Sequence, residues 1–443
     1  MPKVAIIGAG IIGLKTAYDL KKKNVDVTLL ESQKNPGGVI QSHTSDGFLS
    51  EAGPTSLDIG DPEIRAFLEE INLTDKITAS NPRSKNRYVV HNDTLVAIPD
   101  SFTNFLKTPL LSPPGKFKLI KEPFVKRSKK NHEESLAEFI ERRLGKEVLD
   151  AIVDPFVSGI YAGNPHTLSA KYAFPFLYEI EQADGSLLKG SIKKRNHKPF
   201  YASFKEGMYT LPQALAQELG TSLKLNAKIL KITKKKDDWK LVWESKKTKH
   251  EATFDYLIGT VPAHKYPNLP FDKDTKSLFL PLSQIAYAPV TTLTLGFHKK
   301  DVKHPLDGRG FLIPSQDTHF KILGTLFNST IFPNRAPKNY VNLTTFVGGS
   351  QHPDLAGLSI TKLKALVMND LEKLINVKGD PVFINKTFWP QAIPQYNVGY
   401  GHFFNLMESI EEQFPNFEIK GNFRTGIALQ HCLKSKTRLL STL

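Results

Sequence analysis

The sequence predicts an α/β protein, and three features of its N-terminal region predict this fold class. Residues 4–7 form an apolar run that is too short for a helix, which indicates a buried parallel strand. The pattern Gly8-x-Gly10-x-x-Gly13 follows directly, and the residues after it have helical periodicity. A second strand is predicted over 25–30. This order of strand, glycine turn, helix and strand predicts a Rossmann-like domain that binds a dinucleotide.

Each glycine of this turn has its own predicted task. Gly8 permits the tight turn, Gly10 lets the backbone approach a pyrophosphate, and Gly13 lets the helix pack close to the strand. The start of the helix offers unpaired N–H groups to the phosphates. Glu31 ends the second strand, where its carboxylate is expected to accept hydrogen bonds from a ribose 2′-OH, which disfavours NADP.

Length and composition restrict the class of protein. A chain of 443 residues is too long for one core, so two or three domains are expected. Cys432 is the only cysteine, which excludes an intramolecular disulfide and fits a reducing compartment. We expect no membrane-spanning helix and no signal or transit peptide, because the chain enters its first strand at once. The expected location is the cytoplasm, with the inner face of the cell membrane as an alternative.

The net charge of +15 would attract nucleic acid, an anionic membrane or an acidic ligand. No nucleic-acid motif is present in the sequence, so no nucleic-acid partner is expected. Between residues 101 and 200, apolar residues lie beside basic clusters that include Lys126, Arg127, Lys129 and Lys130. This pattern is typical of a surface that lies on anionic lipid, although a helical insert with a solvated charged face has the same pattern. The leucines of the 108–115 loop are expected to be exposed.

A second glycine motif indicates which dinucleotide binds. Pro36-Gly37-Gly38 and the residues up to Ser42 resemble the motif that follows the second strand in the family of FAD-dependent amine oxidases, phytoene desaturases and protoporphyrinogen oxidases. Considered by itself, this Pro-Gly-Gly sequence is also typical of an ordinary turn. The loop Gly53-Pro54-Thr55 would let the backbone approach the flavin ring. The same residues are also consistent with a simple turn that precedes a helix over 62–72, with Asp61 as the N-cap of that helix.

The stretch 154–190 indicates which members of this family the chain resembles. It contains PFVSGIYAG, then Phe-Pro, then GSLLKG, and this order resembles the oxygen-dependent, FAD-containing protoporphyrinogen oxidases, with coproporphyrinogen III oxidases as a subtype. The resemblance implies oxidation of protoporphyrinogen IX to protoporphyrin IX in haem biosynthesis, a six-electron reaction in three two-electron steps that reduces O2 to H2O2. Flavin N5 would do the chemistry, so no catalytic side chain and no metal are expected. The partners would be the porphyrinogen and O2, with a homodimer as a further expectation.

The resemblance also implies the site residues. Arg87, Gly159 and Thr55 would contact the substrate. Arg87 lies on a predicted strand that leads to a turn at 92–93, where an arginine is either a solvated charge or a fork for a carboxylate. A strand over 223–233 would hold the adenine through the backbone of Ile229. The implied cofactor-binding residues are Gly8, Gly10, Gly13, Glu31, Gly37, Gly38, Ser42, Gly53, Pro54, Thr55, Ile229, Gly426 and Ile427. FAD is expected to bind non-covalently, because no cysteine or histidine lies in the glycine motifs.

The family implies an interleaved chain. The FAD-binding domain would take residues 1–82, 211–270 and 396–443. A mixed-sheet α+β substrate domain would take 83–99, 187–210 and 271–395, and 100–186 would form a mostly helical insert. Residues 430–438 depart from the family pattern, which leaves the cofactor affinity open. The alternatives are a coproporphyrinogen III oxidase, another flavin amine oxidase or desaturase, and a flavin-free protein that escorts prenylated proteins.

Overall fold

The computed structural model describes residues 2–129, 132–193 and 199–441. The strands in these residues, in chain order, are β1 Lys3–Ile7, β2 Asp26–Leu30, β3 Ser42–Ser45, β4 Phe48–Glu51, β5 Leu57–Asp58, β6 Ile77–Ala79, β7 Asn86–His91, β8 Thr94–Ala97, β9 Tyr201–Phe204, β10 Leu223–Lys224, β11 Lys228–Lys234, β12 Trp239–Ser245, β13 Thr248–Phe254, β14 Tyr256–Gly259, β15 Tyr287–His298, β16 Gly308–Leu312, β17 Ile322–Leu326, β18 Tyr340–Gly348, β19 Phe383–Pro394 and β20 Phe417–Ile419.

The helices are α1 Ile11–Lys22, α2 Pro62–Glu70, α3 Phe102–Lys107, α4 Pro113–Ile120, α5 Leu136–Arg143, α6 Lys146–Val148, α7 Asp154–Tyr161, α8 Ala170–Ala173, α9 Pro175–Asp184, α10 Leu187–Lys193, α11 Thr210–Leu219, α12 Lys273–Phe279, α13 Asn328–Ile331, α14 Pro353–Ala356, α15 Ile360–Ile375, α16 Gly401–Gln413, α17 Asn422–Thr425 and α18 Leu429–Lys434. A wide helical turn over Leu149–Val153 joins α6 to α7.

A five-stranded parallel sheet carries the predicted dinucleotide fold. Its strand order is β10-β2-β1-β14-β20. Ile7 at the end of β1 pairs with Leu30 of β2 and with Gly259 of β14, so the carboxyl ends of these strands meet beside the glycine turn. β1 is fully buried from Val4 to Ile6, as expected for a central parallel strand. The α/β fold class is confirmed.

A seven-stranded mixed sheet forms the second large layer, in the order β19-β15-β18-β17-β16-β7-β8. The pair β16–β7 is parallel, and the other pairs are antiparallel. One face packs on α15 through buried residues such as Leu363, Val367 and Leu371. β7 and β8 form the predicted hairpin, whose turn residues Asn92 and Asp93 both have positive φ. α7 packs on the opposite face, where Gly159 approaches Leu312 of β16.

The described residues also form three small sheets: β3-β4, β5-β9-β6 and β11-β12-β13. β9 lies in the segment 187–210 that the sequence assigns to the substrate domain, yet it pairs with β5 and β6 of the segment 1–82. The exact domain boundaries stay a prediction. The predicted single strand over 223–233 is wrong, because Asn226 has a φ of +51° and divides it. β10 joins the parallel sheet, and β11 joins the antiparallel one.

The insert is mostly helical where it is described, from α3 to α10. It contains a buried ion-pair cluster, in which Arg143 pairs with Glu122 and Glu181 and all three side chains are inaccessible to solvent. The expectation that the leucines of the 108–115 loop are exposed is wrong, because Leu110 and Leu111 are 4% and 2% exposed. The Glu147 carboxylate accepts hydrogen bonds from the N–H and hydroxyl of Ser112, and this contact holds the loop against the helices.

Candidate functional site

The first glycine turn has the geometry that its sequence predicts. Gly8 has a φ of +101°, which favours glycine. A Cβ on Gly13 would overlap the carbonyl oxygen of Gly8 and lie 2.6 Å from Oγ1 of Thr260, so α1 packs directly on the end of β1. A Cβ on Gly10 would meet no atom within 4 Å. The turn is therefore closed on its strand side and open at Gly10, where α1 begins.

The second glycine loop lies against the first. The Gly37 N–H donates a hydrogen bond to the Ala9 carbonyl at 2.7 Å, and Gly37 forms a bridge with Gly10. Gly37 and Gly38 have φ values of +104° and +59°. A Cβ on Gly38 would lie 3.5 Å from the Gly10 Cα. Gly10, Gly37 and Gly38 thus come together above the N-terminus of α1. They form a cradle of main-chain atoms, because none of them has a side chain.

Glu31 lies beside this cradle. Its Oε2 accepts a hydrogen bond from the Ala9 N–H at 2.7 Å, and its Oε1 accepts one from the Gln33 N–H at 2.9 Å. These bonds hold the carboxylate at the carboxyl end of β2, next to the first turn. A carboxylate at this place has the position that a dinucleotide ribose requires.

Ser42 belongs to a buried network that sequence reasoning missed. Its hydroxyl donates to Glu51 Oε2 at 2.5 Å and accepts from the Tyr209 N–H at 3.0 Å. Glu51 Oε1 accepts from the Met208 N–H at 2.9 Å. Burial raises the pKa of Glu51, and this effect exceeds the opposing hydrogen bonds and the charge of Arg335. Ser42 and Glu51 therefore tie β3 and β4 to the start of α11.

The loop 53–55 packs between the second glycine loop and the seven-stranded sheet. A Cβ on Gly53 would lie 2.5 Å from the Val39 carbonyl oxygen, so only glycine fits there. On the other side, the Trp389 indole N–H donates to the Ala52 carbonyl at 2.7 Å. Pro54 and Thr55 follow and are half-buried. The loop is therefore fixed between the second glycine loop and β19.

Ile229 lies on β11, the edge strand of the antiparallel sheet. It pairs with Trp243, and the pairing register shifts between Ile229 and Lys231. Such a bulge leaves main-chain groups out of the ladder. The backbone at Ile229 is thus placed on an open sheet edge, as binding of an adenine through the backbone would require. Its contact with the cofactor stays a prediction.

Gly426 and Ile427 precede α18, the six-residue helix near the cradle. Gly426 has a φ of +100°, and its N–H donates to the hydroxyl of the buried Tyr396 at 3.0 Å. Tyr396 in turn donates to the Asn422 carbonyl. Burial raises the pKa of the Cys432 thiol to about 12, which keeps it protonated at neutral pH. A protonated, buried thiol is a poor nucleophile, which agrees with the prediction of a non-covalent cofactor.

Arg87 and Gly159 lie on the same side of the seven-stranded sheet. Tyr88 pairs with Phe311, and both rings pack into the core against α15. Because side chains alternate along a strand, Arg87 and Leu312 point to the opposite face. A Cβ on Gly159 would lie 2.5 Å from Leu312 Cδ2, so α7 covers this face. The structure therefore brings the two predicted substrate residues to one surface.

Residues 12–426 match the model of a protein family described as flavin containing amine oxidoreductase. The chain belongs to this family. Its cofactor is FAD, as the glycine motifs predict, and it is an oxidoreductase. The match confirms the resemblance to FAD-dependent oxidases that the glycine motifs and the stretch 154–190 indicate.

The relatives of this flavin oxidoreductase include porphyrinogen oxidases. The chain is 33% identical over 472 residues to protoporphyrinogen oxidase 2, chloroplastic/mitochondrial, of Arabidopsis thaliana, with 98% of this chain and 92% of the relative covered. It is 30% identical over 459 residues to the coproporphyrinogen III oxidase of Staphylococcus aureus strain NCTC 8325, with 97% and 96% covered. A crystal structure of a candidate protoporphyrinogen oxidase from Exiguobacterium sp. 255-15 has a TM-score of 0.83 at 23% identity, with 100% of this chain and 98% of that chain covered.

The cradle fits the phosphates of FAD. Any side chain at position 10 would occupy the open space beside Gly10. No acidic residue lies in the first turn of α1, and no side chain caps its N-terminus. Both properties leave N–H groups and a favourable helix dipole for an anion. Gly10, Gly38 and the start of α1 would hold the pyrophosphate, and Glu31 would hold a ribose.

Thr260 and Tyr396 are two further residues that the sequence analysis did not assign to the site. The Thr260 hydroxyl donates to the carbonyl oxygens of Ile7 and Gly8 at 2.9 and 2.7 Å, which fixes the turn from the neighbouring strand. Tyr396 holds Gly426. Both act across more than two hundred residues or between separate segments, so local sequence patterns carry no signal for them. In the described part of the chain, no group of three or more His, Cys, Asp or Glu side chains is placed to hold a metal ion.

Proposed function

We propose that this flavin oxidoreductase oxidises protoporphyrinogen IX to protoporphyrin IX in haem biosynthesis, with O2 as the electron acceptor. Six electrons and six protons would leave the substrate in three two-electron steps, and three O2 would become three H2O2. The observation that supports this proposal is similarity over 97–98% of the chain to relatives named for porphyrinogen oxidation. That similarity includes the stretch 154–190.

The residues of the chain would bind and orient rather than react. FAD would supply the redox chemistry by accepting two electrons with a proton from a C–H bond at each step. Aromatisation drives the reaction, so no side-chain nucleophile is needed. Arg87 would bind a propionate carboxylate through its guanidinium fork. Leu312, on the same face, and Gly159, which contacts it, would provide an apolar surface for a pyrrole ring.

Coproporphyrinogen III is the alternative substrate, because the relatives include oxidases of both kinds. The two substrates share the reacting tetrapyrrole and differ in the number of propionates. The chemistry of the flavin is the same for both. Their discrimination would therefore depend on the cations that face the substrate.

The test is an aerobic assay of the purified protein with protoporphyrinogen IX and coproporphyrinogen III. Porphyrin fluorescence would report product, and a peroxidase-coupled reaction would report H2O2. We expect a higher kcat/KM for protoporphyrinogen and three H2O2 for each porphyrin. A higher value for coproporphyrinogen would favour the alternative. Turnover of amines or polyenes without turnover of either porphyrinogen would refute the proposal.

We also propose that the insert contacts an anionic membrane from the cytoplasmic side. Phe117, Ile120 and Phe124 are 55%, 56% and 86% exposed on or just after α4. Lys121 places its Nζ 4.4 Å from the centre of the Phe117 ring. Apolar side chains beside cations would insert into lipid while the cations meet its headgroups. Among the described residues no helix is long and apolar enough to cross a bilayer.

Lys130 of the predicted basic cluster lies outside the described residues, so the proposal rests on the cluster from Lys116 to Lys129. Arg127 in this range also donates to the Gln182 carbonyl and is thus partly engaged within the insert. A homodimer in the cytoplasm is the last part of the proposal. Light scattering at several protein concentrations tests it, and a constant monomer mass would exclude it.

A further inference from the structure

Arg309 lies on β16 at an irregularity beside Arg87. β16 pairs with β7 at Gly308–Asn86 and next at Phe311–Tyr88. Two residues of β16, Arg309 and Gly310, therefore oppose the single residue Arg87. This is a β-bulge, which redirects side chains and often occurs next to active sites.

The conformation of the bulge requires glycine at position 310. Gly310 has a φ of +139°, where other residues are strained. A Cβ there would overlap the carbonyl oxygen of Thr325 on the neighbouring strand. The main chain of Arg309 is fixed as well, because its carbonyl accepts a hydrogen bond from the Phe327 N–H at 3.0 Å. The local backbone thus holds Arg309 in one place.

The side chain of Arg309 extends from β16 towards β9 and the residue that follows β6. Its Cζ lies 4.9 Å from the centre of the Tyr201 ring, and its Nη2 lies 3.4 Å from Ser80 Oγ. Burial, and next the positive charge of Arg87, lower the pKa of Arg309. The bulge places Arg309 opposite Arg87 on the neighbouring strand, and the charge of Arg87 acts on Arg309 in the same direction as burial.

Neither guanidinium has a carboxylate partner in the described residues. Three other arginines that are partly or fully buried do have one: Arg142 pairs with Glu134, Arg143 with Glu122, and Arg424 with Glu411. The buried Arg335 instead donates to Ser203 Oγ and to the Phe204 carbonyl.

Two adjacent like charges, one of them half-buried, are unfavourable unless an anion lies between or beside them. The arrangement is characteristic of a site for an anion with more than one negative group.

We propose that Arg87 and Arg309 form a two-guanidinium subsite that binds two carboxylates of one substrate molecule. The inference rests on the proposed function, because porphyrinogens carry propionates on neighbouring rings. Each guanidinium would bind its own carboxylate. The Tyr201 ring would limit the freedom of Arg309, and the apolar surface at Leu312 would receive the macrocycle. Arg309 would then contribute to the choice of substrates by their carboxylates.

The test compares Arg309→Ala, Arg309→Lys and Arg87→Ala with the wild-type holoenzyme. Arg83→Ala is the matched control, since Arg83 is an exposed arginine that precedes β7. Two quantities are measured: the KM and kcat for protoporphyrinogen IX, and the Kd for protoporphyrin IX and for its dimethyl ester. We expect Arg309→Ala to raise the KM and the Kd of the free acid roughly tenfold. Arg309→Lys should restore most of this loss, and the control should change neither quantity.

The dimethyl ester separates binding from a structural role. It lacks the carboxylates, so Arg309→Ala should leave its Kd unchanged. The losses from Arg87→Ala and Arg309→Ala should multiply in the double variant, because each residue binds a separate carboxylate. Equal losses for acid and ester, or a lower unfolding temperature together with an unchanged KM, would show that Arg309 only holds β9 in place and would overturn the inference.

The outcome also distinguishes the two proposals. If the wild type oxidises neither porphyrinogen, the proposed function fails whatever the variants do. If the wild type is active and Arg309→Ala has the wild-type KM and the wild-type preference for acid over ester, the proposed function stands and the two-guanidinium subsite is refuted.

Discussion

Two glycines of the first turn have opposite structural environments. Substitution by valine should therefore impair FAD binding at one position and stability at the other. A Cβ on Gly10 meets no protein atom, whereas a Cβ on Gly13 meets the Gly8 carbonyl and Thr260. We predict that Gly10→Val loses FAD and keeps its fold. We predict that Gly13→Val loses stability even without FAD.

The magnitudes follow from these contacts. Gly10 has φ −66° and ψ 174°, which valine adopts, so the apo-protein should lose only the cap preference of up to about 1 kcal/mol. The valine side chain would fill the space that the pyrophosphate needs, and FAD affinity should fall about a hundredfold, equal to about 2.7 kcal/mol. At Gly13 the obstacle is a main-chain oxygen that cannot rotate away. The free energy of unfolding of the apo-protein should fall by about 3 kcal/mol.

The assay uses apo-proteins, because bound FAD stabilises the folded state by mass action and would hide the difference. Urea unfolding gives the stability, and quenching of flavin fluorescence gives the Kd of FAD. Gly357→Val is the control, since a Cβ there also meets no atom within 4 Å, far from the cradle in sequence. Wild-type FAD affinity in Gly10→Val, or an equal loss of apo stability in both turn variants, would refute the reasoning.

Four further outcomes are expected. Arg87→Ala should raise the KM for porphyrinogen roughly ten- to hundredfold with normal flavin content; an unchanged KM would make Arg87 a surface charge. Acid precipitation should leave the flavin in the supernatant, and a yellow pellet would contradict non-covalent binding. Phe117→Ser combined with Phe124→Ser should reduce co-sedimentation with phosphatidylserine vesicles, and high salt should reduce it for the wild type; equal binding to neutral vesicles would contradict the electrostatic part. Burial lowers the pKa of Lys420 to about 8. Between about pH 8 and the ordinary pKa of 10.5, Lys420 is protonated in the unfolded chain and mostly deprotonated in the folded chain. The free energy of unfolding should therefore rise with pH there by up to about 1.4 kcal/mol per unit more than in Lys420→Met, and parallel pH profiles would contradict this.

The parts of the fold that the sequence predicts are those with local causes. The strand 4–7, the turn at Gly8 and the start of α1 depend on residues that are adjacent in the chain. Asp61 also begins α2 as predicted, with its side chain accepting from the Glu63 N–H. The hairpin turn at 92–93 depends on two residues that adopt positive φ readily.

The parts that the sequence did not predict depend on distant contacts. The alternation over 223–233 continues through Asn226, so it gave no sign that two different sheets share it, although asparagine is a residue that adopts positive φ. Arg309 became apparent only through the pairing of β16 with β7. Its flanking glycines, Gly308 and Gly310, were the available signal, since glycine within a strand often marks a bulge. Glu51 gave no signal, because burial alone distinguishes it from a surface acid.

The strand order of the parallel sheet has a consequence for synthesis of the chain. β1 pairs with β14, and β14 pairs with β20, which the ribosome completes only after Ile419. At 5–20 residues per second, roughly 20 to 80 seconds separate the appearance of β1 from that of β20. During this interval the apolar edge of the nascent sheet lacks its neighbour and is open to wrong pairing. Because Gly426 follows β20, the cofactor site is complete only after β20 has been synthesised. A chaperone that shields the open edge of the sheet until then should increase the yield of flavin-loaded protein.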